Sequence, residues 1–200
     1  MKDFFNKQIP HNGLNYLQFV ELTKQKLDET NINLLDEEQL YFFNYTKLNY
    51  QRMIRINKTY KVSDTIEKLI NKIEKYQLWM VLTEDWCGDS AQNLPYINKF
   101  AELNKNIDLR ILERDKNLDI MDNYLTNGKS RSIPKVIAFD QIGNELFIWG
   151  PRPKEAELLL NSLKEEGLQK DEYVQKLHLW YGINKGKALE KEFEEILTNL

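Results

Sequence analysis

The sequence predicts an α/β fold, a central mixed sheet flanked by helices, with further helices before and after it. Three observations carry that prediction. An unbroken apolar run of strand length, Leu-Trp-Met-Val-Leu, fills positions 78–82. Helical and strand patterns alternate from residue 64 to about 166. The segments on either side are helical throughout.

Taken in order, the first third reads as helices. A helix over 13–30 places Leu14, Leu17, Val20 and Leu27 on one side. Asp36-Glu37-Glu38-Gln39 has capping-box spacing, so a long helix follows. Its aromatic stripe of Tyr41, Phe42, Phe43, Tyr45 and Tyr50 is expected to pack into the core, with an aromatic ligand groove as the alternative. A second cap at Asp64 opens a helix with Ile66, Leu69, Ile70 and Ile73 at i, i+3, i+4, i+7. The apolar run at 78–82 then reads as a central parallel strand covered on both faces.

Beyond it the sequence predicts a helix over 88–103 and a strand over 107–113, then a helix over 117–125. Two strands, 135–139 and 145–149, flank Asp140-Gln141-Ile142-Gly143-Asn144 as a hairpin. Pro153 suits the first turn of the next helix, whose Leu159, Leu160 and Leu163 face inward. Helices over 171–181 and 187–197 close the chain, and the acidic face of the second (Glu190, Glu192, Glu194, Glu195) is expected to be solvated. The expected organisation is an N-terminal helical extension (1–62), the α/β domain (63–167) and a C-terminal helical extension (168–200).

Composition narrows the function. The chain has 200 residues, 42% hydrophobic and 12% aromatic, which is enough apolar material for a packed core. Its 28 Lys and Arg against 31 Asp and Glu leave a net charge of −3, without the basic cluster that phosphate backbones demand, so no nucleic-acid partner is expected. Cys87 is the one cysteine, so an intrachain disulfide and an all-cysteine zinc site are excluded. His11 and His178 lie far apart in sequence and are read as packing or surface residues, so no metal or cofactor is expected. No stretch approaches the roughly 20 apolar residues of a membrane helix, and residues 1–7 lack a signal peptide's apolar region. A cytoplasmic protein without membrane association is the expectation.

The chemistry concentrates after the central strand, in Thr83-Glu84-Asp85-Trp86-Cys87-Gly88-Asp89-Ser90. Cys87 falls at the end of a strand and the first turn of a helix, where ligands bind in open α/β sheets. Free backbone N–H groups and the helix dipole there favour a thiolate. Ser90, one turn on, can donate its hydroxyl to the sulfur, and Gly88 lets the backbone pass close. Asp89 acts against ionisation by like-charge repulsion. Glu84 and Asp85 read as solvated loop carboxylates. Arg110, Glu113, Arg114 and Asp115 read as charge pairs near a strand end, and Lys129, Ser130 and Arg131 as a positive lining for the cleft.

The segment Trp86-Cys87-Gly88-Asp89-Ser90 resembles the Trp-Cys-Gly-Pro-Cys active site of the thioredoxin family. The likeness extends to Pro95 inside the following helix and to Ser132-Ile133-Pro134 before a strand. Gly143 and Gly150 bracket the last strand in the same way. It covers residues 64–166 and resembles a bacterial thioredoxin-like subfamily, with the outer helices lacking a counterpart. The resemblance implies a thioredoxin-like fold and a cis proline at Pro134 facing the cysteine. It also implies Cys87 and Ser90 as the catalytic positions, Cys87 as the nucleophile, with Trp86, Gly88, Asp89, Ile133 and Pro134 as the substrate-binding surface.

Departures from the family reshape the expected reaction. Ser90 stands where a second, resolving cysteine is found, and Val81 where thioredoxins keep a buried aspartate. The expected function is a monothiol oxidoreductase in which Cys87 attacks protein disulfides or mixed disulfides of low-molecular-weight thiols and an external thiol resolves the adduct. The alternative is a binding module that keeps the fold without turnover. An iron–sulfur role like that of monothiol glutaredoxins is disfavoured by Asp89 and Trp86 and by the absence of that family's other segments.

Overall fold

The computed structural model describes residues 2–200. Its elements in chain order are α1 (Asp3–Asn6), α2 (Tyr16–Glu29), α3 (Glu37–Thr59), α4 (Asp64–Ile70), β1 (Gln77–Thr83), α5 (Gly88–Ala101) and β2 (Ile107–Glu113). Then come α6 (Leu118–Met121), β3 (Lys135–Asp140), β4 (Glu145–Trp149), α7 (Lys154–Glu165), α8 (Lys170–Asn184) and α9 (Lys187–Thr198). The four strands form one mixed sheet in the order β2-β1-β3-β4. β1 runs parallel to β2, with Gln77 opposite Ile107, and antiparallel to β3, with Val81 opposite Val136. β3 and β4 form the antiparallel hairpin.

Every residue of β1 is buried, which explains why its run is apolar without alternation. Successive side chains enter opposite layers. Trp79 and Val81 join Val136, Ala138, Ile97, Phe100, Met53 and Phe193 on one face. Leu78, Met80 and Leu82 join Ile137, Phe139, Met121 and Tyr124 on the other. Phe4 and Phe5 of α1 seal this second layer against Phe139, at ring-centroid distances of 6.2 and 5.1 Å. At four residues, that helix is too short to show a periodic pattern.

Several boundaries move for physical reasons. α2 starts at Tyr16 behind an Asn15–Gln18 capping box, because Leu14 pairs with Ile111 as an extension of the sheet edge. The later start rotates the buried face to Tyr16, Phe19, Val20 and Thr23, and leaves Leu17 exposed. The Asp36–Gln39 box caps α3, whereas α4 is capped by Ser63, with Asp64 in its first turn. α6 stops at Met121 because the chain turns there, and Asp122 pairs with Arg131. Pro153 is the N-cap of α7 rather than its first helical residue.

The acidic face of α9 is not simply solvated. Glu190 accepts hydrogen bonds from the Tyr60 hydroxyl and the Ser63 N–H. Glu192 accepts from Trp149 Nε1 at 2.7 Å and from the Lys154 N–H at 2.6 Å. Both carboxylates tie the C-terminal helix to the sheet and to α4. Among the described residues, no helix is long and apolar enough to cross a membrane.

Candidate active site

β1 delivers the chain through Glu84, Asp85 and Trp86 to Cys87, the N-cap of α5. The Cys87 side chain is 8% exposed, and its Sγ donates to the Ile133 carbonyl at 3.3 Å. The Ile133–Pro134 bond is cis. Gly150, at φ +115°, makes this packing possible, since a Cβ there would lie 2.1 Å from the Pro134 carbonyl oxygen. Beneath the sulfur, the Thr83 hydroxyl donates to Ser90 Oγ at 2.5 Å, and both side chains are buried. Val81 lies wholly in the apolar core.

Burial and then the negative charge of Asp89 push the thiol up from 9.0 to about 11. The Ser90 hydroxyl and the Ser90 and Asp89 N–H groups favour the thiolate, but they are outweighed. At neutral pH the ionised fraction is therefore on the order of 10⁻⁴. The opposition between helix terminus and carboxylate foreseen from the sequence is decided by burial.

Asp89 is not a free carboxylate. Arg152 grips one oxygen with Nε at 3.0 Å and Nη2 at 2.6 Å, while the Tyr181 hydroxyl donates to the other at 2.6 Å. Asn93 Nδ2 bridges the Asp89 carbonyl, at 2.8 Å, and the Tyr181 oxygen, at 3.1 Å. Arg152 also binds Glu157. Burial works against its charge, yet Asp89 and Glu157 together hold the guanidinium above its ordinary range.

The loop before Cys87 is held from outside the sheet, in contrast to the solvated carboxylates expected there. Asp85 accepts from Lys26 at 2.7 Å and Thr46 at 3.1 Å, and its carbonyl accepts from Asn49 at 3.1 Å. Glu84 is buried, accepts from the Asp115 N–H at 2.7 Å, and is pushed by burial up to about 7. The Trp86 ring sits between Phe42, at 5.3 Å, and the Arg114 guanidinium, at 5.2 Å. Of the charges expected to pair near the strand end, Arg114 binds Asp115, while Arg110 binds Asp108 and Glu113 binds Lys116.

α8 lies across the motif. A Cβ on Gly88 would stand 2.7 Å from both Cε1 and Nε2 of His178, so Gly88 is required by this approach and not by its φ. His178 Nδ1 pairs with Gln92 Nε2 at 3.3 Å. Burial, reinforced by the Arg52 charge, pushes the imidazole down to about 3, so it is neutral at physiological pH. What remains open above Cys87 is a cavity of about 290 Å³. Trp86, Cys87, Gly88 and Asp89 form one side, and α3 contributes Tyr41, Phe42 and Tyr45.

Two expectations change here. The aromatic stripe of α3 divides: Tyr50 packs against the core as expected, whereas Tyr41 and Phe42 are exposed and line the cavity with Tyr45, the groove alternative. The buried residues of α3 are Thr46, Asn49, Met53 and Ile56, on the neighbouring face. Lys129, Ser130 and Arg131 do not line the cavity. Arg131 binds Asp122, and Ser130 bonds Ser132. The cations at the cavity are Arg152, Lys164 and Lys170. His178 and Arg152 carried no local signal, because only the docking of α7 and α8 brings them to Cys87. Among the described residues, no group of three or more His, Cys, Asp or Glu is placed to hold a metal ion.

The comparisons concern the fold and the family. The chain resembles an HIV epitope-scaffold with a TM-score of 0.59 and 18% identity, over 97% of this chain and 98% of that one. A protein of unknown function from Pseudomonas aeruginosa gives a TM-score of 0.51 at 19% identity, over 92% and 96%. At these identities the likeness concerns the fold alone. No curated protein matches. The family model described as Thioredoxin matches residues 36–164, and so takes in α3, which the motif resemblance had left outside. A match over more than half the chain, on a sheet that presents a Trp-Cys-Gly motif at a helix N-terminus beside a cis proline, places this chain in the thioredoxin family.

Proposed function

We propose that the chain is a monothiol thiol–disulfide oxidoreductase acting through Cys87. One observation carries the reading: Cys87 Sγ stands at the first turn of α5, beside the cis Ile133–Pro134 segment and on the wall of a cavity. The sulfur attacks a disulfide R–S–S–R′ and forms Cys87–S–S–R. R′S⁻ leaves with the electron pair, and the Cys87 proton passes to solvent or to the leaving thiolate. A second thiol then attacks the mixed disulfide and returns Cys87 to its reduced form. Ser90 supports the sulfur anion by hydrogen bonding, and no second cysteine is present in the chain to resolve the adduct.

The burial of Cys87 favours a second reading, a binding module without turnover. A thiol at about 11 gains thiolate roughly tenfold per pH unit across the neutral range. The test is alkylation and disulfide exchange of Cys87, followed by mass spectrometry between pH 6 and 11. The redox reading expects a mixed disulfide that a small thiol reverses, with a rate climbing throughout that range. Failure to form any Cys87 adduct with excess disulfide at pH 9 would leave the binding module.

A further inference from the structure

We propose that the cavity over Cys87 selects a low-molecular-weight disulfide bearing negative charge, which Lys164 and Lys170 recognise. This rests on the thiol exchange proposed above and names its substrate class. The first argument is size. α8 and α3 stand over the motif and leave about 290 Å³, just under the range of about 300–1,000 Å³ typical of small-molecule sites. His178 and Tyr181, packed on Gly88 and Asp89, close the α8 side of the motif.

The second argument is charge. Of the cations lining the cavity, Arg152 is neutralised by Asp89 and Glu157, which leaves Lys164 and Lys170 in excess of the one lining carboxylate, Asp89. The Lys164 and Lys170 ammonium groups rest on the Tyr173 and Tyr41 rings, each 5.5 Å from the centroid, and Lys170 donates to the Tyr41 hydroxyl at 3.1 Å. Among the described residues neither has a carboxylate within salt-bridge distance, nor does Arg52, which reaches within 3.8 Å of a Cβ built on Gly88. Asp171 borders the adjoining recess beyond His178. The ammonium groups are thus oriented by aromatic faces while their charge stays available to a ligand. Tyr41, Phe42 and Trp86 offer surface for the ligand's apolar part.

Cys87 attacks the sulfur of such a disulfide, one half stays covalently attached, and the other leaves as an anionic thiolate. An external thiol completes the exchange, and no further oxidant or reductant is consumed.

The test uses the full chain and two diaryl disulfides, dianionic 5,5′-dithiobis(2-nitrobenzoate) and the smaller, neutral 4,4′-dithiodipyridine; the lysine substitutions separate charge from size. Their rates with Cys87 are each divided by the rate with a small reference thiol. The normalised ratio is expected to favour the dianion by roughly tenfold, and to fall towards unity in Lys164→Gln/Lys170→Gln and at 1 M salt. A ratio unchanged by the double substitution would overturn the proposal. Titrating Cys87→Ser with the dianion, followed by tryptophan fluorescence, reads recognition without chemistry. Saturable binding that the lysine substitutions weaken supports the charged site, and its absence sinks it. If instead neither reagent labels Cys87 while Cys87→Ser still binds the dianion, the exchange reaction fails and the anion selectivity stands.

Discussion

Gly88→Ala tests whether α8 lies on the Cys87 motif. The new Cβ would stand 2.7 Å from His178 Cε1 and Nε2, where ordinary contact begins at 3.4 Å, so the ring must retreat by about 0.7 Å. It has little room to do so, because His178 is bonded to Gln92 and its neighbour one turn on, Tyr181, is bonded to Asp89. Overpacking of this kind costs about 1–3 kcal/mol. Alanine in place of a helical glycine returns at most about 1 kcal/mol. The net expectation is a loss of roughly 1–2 kcal/mol in the wild-type background. With His178→Ala the obstruction is gone, and Gly88→Ala becomes neutral or stabilising by up to about 1 kcal/mol. The pair is therefore coupled by about 2 kcal/mol. Urea unfolding of the four proteins of this cycle measures it from midpoints at constant slope. Additive effects, with coupling below about 0.5 kcal/mol, would refute the packing of α8 on the motif.

Two further substitutions address the charges around Cys87. Asp89→Asn removes the repulsion that helps hold the thiol at about 11, so the alkylation profile should move to lower pH. The same change strips a buried guanidinium of a partner and should cost about 3 kcal/mol in chemical unfolding. An unmoved profile would mean that the Asp89 charge does not reach the sulfur. Glu84 is raised from 4.5 to about 7, so between those values the native state keeps a proton the unfolded chain has lost. Stability should fall as pH rises through that window, by up to about 3 kcal/mol, and stay level above it. Glu84→Gln should flatten that descent while still accepting from the Asp115 N–H. A difference between variant and wild type that is constant from pH 4 to 8 would contradict the buried carboxylate.

Much of the site was legible because its signals are local. Cys87 at the start of α5 follows from an apolar run meeting a helical period, and the family resemblance follows from Trp86 to Ser90 with Ile133-Pro134. What misled was always a question of which partner a face meets. Periodicity marked the aromatic stripe of α3 as apolar, but not that Tyr41 and Phe42 face a cavity while Met53 and Ile56 face the core. Glu84 and Asp85 look like loop carboxylates until α2, α3 and the turn after β2 close over them. Leu17 fails as a core residue because the Leu14–Ile111 bridge, a long-range pairing, delays the start of α2.

By itself the sequence determined the central strand, the mixed α/β order, the cap of α3 and the position of one cysteine at a helix N-terminus. Each of these depends on residues within a turn or two of one another. Only the tertiary structure decided the state of that cysteine. Asp89 meets Arg152 and Tyr181 across 63 and 92 residues of chain, and His178 seats on Gly88 through the docking of α8. Desolvation and charge pairing depend on proximity in space, so the protonation of Cys87 and the cationic cavity above it emerge only when these distant helices pack together.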